Sequence, residues 1–454
     1  MEEEALQKSP HDWREADRRV VWHAMFRYLP NQYPFIAREG KGVWITDIDG
    51  KRYLDGMSGL WCVNVGYGRE ELAAAAYEQL KVMSYYPLTQ GHLPAIELGE
   101  KLNQWLGEEY VIFFTNSGSE ANETAFKLVR QYHQQQGQGN RYKFISRYRA
   151  YHGNTMGALA ATGQAQRKYR YEPLAAGFLH VPPPDCYRCP FHKHPDSCTM
   201  ECAQAVEQLM VWELDETIAG VIMEPIITGG GILMPPPDYM KQVKEACERH
   251  GALLIVDEVI CGFGRIGHPF GFMEYGVTPD VITMAKGMTS GYLPLAATAV
   301  RKEVFEKFIS GRDYDHFRHL STFGGNPAAC KLALRNLTIM EDERLFDRSA
   351  ELGERILHQL SPLLDHPLVG DIRGKGLLIG IELVADKEGQ IPARPEQVAQ
   401  VLERCKDKGL LLGKNGDTVA GYNNVLTLAP PLSLLDEEAD FLVETLLNAF
   451  ADVG

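Results

Sequence analysis

Short apolar runs punctuate the middle of the chain, each too brief for a helix and each followed by a turn signal. Val111 to Phe114, Tyr142 to Ile145, Ala219 to Met223, Ala252 to Val256 and Val281 to Met284 predict buried strands. A helix is expected from about Ser119, directly after the first run. Another spans Asp238 to His250, with Pro235 to Pro237 before it and Gly251 after it. Strands of this kind alternating with helices predict an α/β fold with a mostly parallel sheet. Nearer the start, β-rich runs flank Asp49-Gly50 within 42–55, a hairpin pattern, and a helical pattern follows from Ala73 to Val82.

After about residue 335 the rhythm changes. A helix is expected over Ser349 to Leu360 and another over Asp436 to Ala451. Between them Gly374 to Leu383 reads as an edge of a smaller α+β unit. The expected division is 1–65 as the N-terminal part of a small domain, 66–335 as a large α/β domain, and 336–454 as the rest of the small domain. A chain of 454 residues is long enough for two or three folding units.

Composition narrows the field. With 45% hydrophobic and 23% charged residues the chain is ordinary for a globular protein, which excludes disordered and collagen-like classes. A net charge of −14 argues against nucleic acid or an anionic membrane as partner. No run approaches the length of a membrane span, and the acidic start, Glu2 to Glu4, lacks a signal-peptide pattern and reads as a solvated terminus. Nine cysteines, an odd number, predict free thiols in a reducing, cytoplasmic setting.

Five constellations carry candidate chemistry, each with a plainer alternative. In Thr115 to Asn122, between a strand and a helix, Ser117 and Glu120 have capping-box spacing. Gly118 permits close backbone approach, and the helix start offers free N–H groups; this suits a phosphate, or merely a cap. Asp257 ends an apolar strand, where ligands bind in parallel sheets, so it suits a cationic ring nitrogen or a structural ion pair. Lys286 follows the next apolar run, a costly place unless the amine is reacted, paired or able to reach water. Tyr151, beside His152, suits stacking on a flat ring or core packing. Thr322, in the glycine-rich run 321–327, suits a second phosphate contact or a bare turn. Phosphate cradle, stacking aromatic, carboxylate and lysine together match the needs of pyridoxal 5′-phosphate (PLP).

With these motifs in place, the chain resembles the class III, or omega, aminotransferases of PLP fold type I over nearly its whole length. The resemblance rests on the 47–55 hairpin, Asn116 to Ala121, Tyr151-His152-Gly153, Met223-Glu224-Pro225 and Asp257-Glu258-Val259. It continues through Gly262 to Arg265, Lys286-Gly287, Thr322 to Asn326 and Pro430-Pro431. It implies a large, mostly parallel α/β domain and a smaller α+β domain formed by both termini. It implies a ping-pong transfer of an amino group from an amine or ω-amino acid to a keto acid, pyruvate, through a Lys286 Schiff base. Asp257 would keep the pyridine nitrogen protonated. Ser117, Gly118 and Ser119 would hold the phosphate, Tyr151 would stack on the ring with His152 beside it and Val259 behind, and Glu224 would orient groups at the rim. Trp61, with Tyr151, would line the substrate pocket. Thr322 would serve the cofactor of a neighbouring subunit in a homodimer, or in a tetramer of paired dimers.

Two features depart from that pattern. Many members of the family place an arginine before the Pro-Pro segment to bind a substrate carboxylate. Here 413–424 contains none, leaving Lys414, a neighbouring subunit or another arginine. Cys186, Cys189, Cys198 and Cys202, with His192 and His194, invite a zinc reading. Their irregular spacing favours a surface insertion with free thiols and no metal. An aminomutase or decarboxylase of the same fold is the alternative activity, and a non-catalytic scaffold would need neither Lys286 nor Asp257.

Overall fold

The structure, a computed structural model, describes residues 8–30 and 32–453; Glu2 to Glu4 lie outside them. Strands β1 (Ala37–Lys41), β2 (Trp44–Asp47) and β3 (Arg52–Asp55) form an antiparallel meander. The expected hairpin is β2–β3; β1 is an extra edge strand whose exposed, charged sequence carries no apolar signal.

The central sheet has seven strands. They are β4 (Tyr110–Thr115), β5 (Lys143–Arg147), β6 (Phe178–Val181), β7 (Ile218–Met223), β8 (Leu253–Asp257), β9 (Val281–Met284) and β10 (Ala296–Arg301), in the order β4-β10-β9-β8-β7-β5-β6. Every predicted buried run is one of these strands, within one or two residues at each end. β10 runs antiparallel to both its neighbours, β4 and β9, so the sheet is parallel except for one strand. Its sequence, Ala-Ala-Thr-Ala-Val-Arg, is too rich in small residues to stand out as a strand. Burial on all but its last residue comes from the neighbouring layers. β7, β8 and β9 are almost wholly buried, as a sheet covered on both faces requires.

The remaining strands are β11 (Val369–Lys375), β12 (Leu378–Asp386), β13 (Ile391–Pro392), β14 (Leu410–Leu411), β15 (Gly413–Lys414) and β16 (Val425–Leu428). β12 pairs with β11, β13 and β16. The 374–383 stretch is thus a hairpin running into an interior strand rather than an edge; its alternating glycines masked two-sided burial. β14 pairs in parallel with β3, Leu410 opposite Leu54, so the first sheet contains both ends of the chain.

One residue ties these parts together. Arg265, fully buried, donates from Nη1 to Leu377 O at 3.0 Å and Pro430 O at 2.6 Å. Its Nη2 donates to Ser58 Oγ at 3.2 Å and Asn64 Oδ1 at 2.8 Å.

The cysteine-bearing segment is exposed over 192–197, as expected of a surface insertion, but it is anchored at its start. Asp185 is buried and lies 2.6 Å from Arg149 Nη1, while Arg188 Nε donates to Glu382 Oε1 at 2.5 Å. Arg373 Nη1 lies 2.8 Å from Glu382 Oε2, so a buried ion network joins this segment to β11 and β12. Cys202 is buried and Cys186 exposed. Among the described residues, no three His, Cys, Asp or Glu side chains gather as metal ligands, and no helix is long and apolar enough to cross a membrane.

Candidate active site

The carboxyl ends of β4, β5, β7, β8 and β9 meet around a cavity of about 340 Å³. It is lined by residues from each of these ends, among them Gly118, Tyr151, Glu224, Asp257, Val259 and Lys286. A larger depression of about 850 Å³ lies elsewhere, around His92, Phe113 and His319, and holds neither Asp257 nor Lys286. Chemistry rather than size selects the smaller one.

β4 feeds the helix Gly118–Gln135 through a tight turn. Ser117 is its N-cap, the hydroxyl accepting from Glu120 N at 3.2 Å. The capping box is half formed. Glu120 Oε2 accepts instead from Asn116 N at 2.9 Å and Ser321 Oγ at 3.1 Å, tying the turn to the glycine-rich 321–327 segment. A Cβ on residue 118 would come within 2.9 Å of Val259 Cγ2, so only glycine lets the turn close against Val259. Across from it, Gly153 (φ +139°) passes Ser119 so closely that a Cβ would sit 2.6 Å from Ser119 Oγ. That hydroxyl accepts from Asn154 N at 3.1 Å. The result is a backbone-lined cradle at a helix N-terminus, suited to a phosphate.

Asp257, 3% exposed, is the last residue of β8. Its Oδ2 lies 2.9 Å from His152 Nδ1 and accepts from Asn122 Nδ2 at 2.9 Å; its Oδ1 accepts from Val259 N at 3.1 Å. His152 therefore backs the carboxylate. Glu224, after β7, is buried, and burial raises its carboxyl above the ordinary range. It accepts from Tyr151 N at 3.2 Å and from Thr228 Oγ1 at 2.7 Å, and so holds the Tyr151 backbone at the rim.

Lys286, just after β9, has φ +45°, an unfavourable conformation for a side-chain-bearing residue. Desolvation holds its ammonium below the ordinary lysine range, against the opposing pull of Cys62, Asp257 and Glu224. A lysine so placed suits a nucleophile, and a cradle suited to phosphate, a carboxylate and an aromatic lie round the same cavity. The residues present fit PLP.

Three sequence candidates lie apart from this cavity. Leu60 lines it, whereas Trp61 packs behind, with the cluster of Ile226, Ile232 and Cys261. Lys414 is exposed on β15, opposite Leu426. Thr322 sits on an exposed loop, its carbonyl accepting from Tyr85 Oη at 3.0 Å.

A residue absent from the sequence reading stands at the rim instead. The Arg167 guanidinium lies 5.1 Å from the centre of the Tyr151 ring. Its Nε donates to Gln164 Oε1 at 2.7 Å and its Nη2 to Gly416 O at 3.3 Å. Nothing in its sequence neighbourhood marked it, because the loop that orients it lies far along the chain. Asn122 was within reach: it is three residues after Ser119 and so near it on the same helix face.

This cavity and fold define a class. The family model for class III aminotransferases matches residues 28–450, and the chain belongs to that family, whose members depend on PLP. The chain is 64% identical over 440 residues to an uncharacterized aminotransferase, YhxA, of Bacillus subtilis, covering 97% of each. It is 40% identical to the taurine–pyruvate aminotransferase of Bilophila wadsworthia, over 96% of each. The crystal structure of a Bacillus anthracis aminotransferase superposes with a TM-score of 0.94 at 61% identity, covering 97% of this chain and 98% of that one.

Proposed function

We propose that this aminotransferase moves an amino group from an amine or ω-amino acid to a keto acid, pyruvate, in two half-reactions at the cavity around Lys286. The observation that carries the reading is the desolvated Lys286 amine at one strand end beside Asp257 at the next, in a cavity whose far wall is a phosphate-sized cradle. The taurine–pyruvate relative supports pyruvate as acceptor.

When bound, PLP supplies an aldehyde that exchanges amino groups and a ring that accepts negative charge. Gly118 and Ser119, at the helix N-terminus, would hold its phosphate. Asp257 Oδ1 holds a proton at the ring nitrogen, its other oxygen being engaged by Asn122 and His152. Tyr151 and Val259, which both line the cavity, would enclose its ring. Lys286 Nζ would hold the cofactor at its aldehyde and, once free, would serve as the base that takes up and returns the substrate proton. Its lowered proton affinity keeps more of the amine unprotonated for that work.

Arg167 supplies the carboxylate contact that 413–424 lacks. Its fork is held by Gln164 and Gly416 above the Tyr151 ring, and a guanidinium suits a carboxylate better than the exposed Lys414 ammonium. Thr322, on an exposed loop, is assigned to the cofactor of a second subunit.

The test is the visible spectrum of the protein with PLP, recorded before and after β-alanine or taurine and again after pyruvate. Bleaching by the amine and recovery with pyruvate are expected. A band that no amine bleaches would refute the transfer reading, and absence of any band would refute the cofactor assignment.

A further inference from the structure

Asn122 is 1% exposed and touches four parts of the site. It lies on the helix that begins at Gly118. Its Nδ2 donates to Asp257 Oδ2 at 2.9 Å and to His152 O at 2.6 Å, and its Oδ1 accepts from Thr283 Oγ1 at 2.8 Å. Chemistry fixes the orientation of this amide. A carboxylate and a carbonyl both only accept, so the NH2 must face them, and the hydroxyl must then donate to the oxygen. Thr283 stands opposite Asp257 in the β8–β9 register and three residues before Lys286. One side chain thus links the cradle helix, the turn carrying Tyr151 and His152, the strand ending in Asp257 and the strand leading to Lys286.

We propose that Asn122 is a positioning residue for Asp257: its amide, locked by Thr283, fixes the carboxylate in one orientation and leaves Oδ1 as the oxygen that serves the cofactor's ring nitrogen. This rests on the PLP reading above. His152 Nδ1 contacts Oδ2 and Val259 N donates to Oδ1. Asn122, on a different element, brings the second donor to Oδ2, so that this oxygen is fully occupied and Oδ1 alone keeps a free lone pair. The other titratable groups around Asp257 are Tyr151, Glu224 after β7, Glu258 next in sequence, Cys261 and Lys286 after β9; none is hydrogen-bonded to Asn122.

The experiment compares the parent with Asn122→Leu, Thr283→Val and Thr283→Ser, each loaded with PLP. Cofactor affinity is read by titration, the pH midpoint of the visible band by spectrophotometry, and stability by thermal melting. Asn122→Leu is expected to weaken PLP binding roughly ten- to a hundredfold, the scale of a hydrogen bond to a charged group. It also moves the midpoint upward, because a ring nitrogen less firmly held as a cation draws less charge from the lysine nitrogen. Thr283→Val shifts both in the same direction by less, and Thr283→Ser, which keeps the hydroxyl, behaves as the parent. Lower melting temperatures with parental affinity and midpoint would overturn the proposal, as would a Thr283→Ser protein that behaves like Thr283→Val. Should Asn122→Leu fail to fold, the two Thr283 variants decide the matter. A parent that binds no PLP would overturn this inference and the function beneath it together. A parent band with unchanged variants would overturn the inference alone.

Discussion

Lys286 combines backbone strain with a desolvated charge, two costs that a structural lysine has no reason to carry together. Lys286→Ala is expected to relieve the buried charge, though not the backbone strain, while removing turnover, by roughly 10²–10⁴-fold or more, with no cofactor retained covalently. Reductive trapping followed by mass spectrometry checks the second point. Arg167 makes a different prediction. Arg167→Ala should raise KM for β-alanine and pyruvate by roughly tenfold or more, and change KM for an amine without a carboxylate far less. Steady-state kinetics with paired donors measures the contrast.

Glu258 gives a prediction in pH. Its carboxyl is buried beneath Gly271 and Phe272, whose N–H groups donate to it at 2.8 and 2.7 Å. Burial outweighs those donors and pushes it up to about 8 from an ordinary 4.5. The folded state therefore binds this proton more tightly than the unfolded chain. The contribution to stability is fully present below pH 4.5, declines as pH rises, and is lost above about 8. Melting temperatures between pH 5 and 9 should fall more steeply for the parent than for Glu258→Gln, which cannot ionise.

At the scale of elements, the cradle depends on one missing methyl group. Gly118→Ala should leave the helix formed but press a Cβ into Val259, weakening PLP binding roughly tenfold. The double variant with Val259→Ala should regain part of that loss, measured by cofactor titration. Elements also show what a sequence reveals. The buried strands β7, β8 and β9 were legible because two-sided burial demands unbroken apolar runs, and Asp257 and Lys286 were legible because a polar residue ending such a run is conspicuous. β10 was not, since its alanines gain their burial from the layers around them. Arg167 escaped for another reason: its role consists of contacts with residues distant in sequence. Trp61 came from the resemblance and Lys414 from being the nearest cation in 413–424, and neither lines the cavity.

At the scale of the molecule, the network of Arg149, Asp185, Arg188, Glu382 and Arg373 fastens the cysteine-bearing segment to β12. Glu382 is fully buried between two guanidinium groups. Glu382→Ala should leave the half-buried Arg188 without this carboxylate, while Arg373 keeps Asp371, and cost about 3 kcal/mol of stability, read from denaturant unfolding. The loss should appear with cofactor affinity little changed, since none of these side chains lines the cavity.

The pairing of β3 with β14 has a consequence in time. Leu54 leaves the ribosome early and its partner Leu410 only near the end of synthesis. Throughout that interval β3 presents an unpaired edge, and Arg265 lacks its acceptors at Leu377 and Pro430. The nascent chain therefore cannot close its first sheet or satisfy Arg265 until translation is almost complete. Synthesis halted before residue 410 yields a chain with an open strand edge, a natural client for chaperones and a poor vessel for PLP.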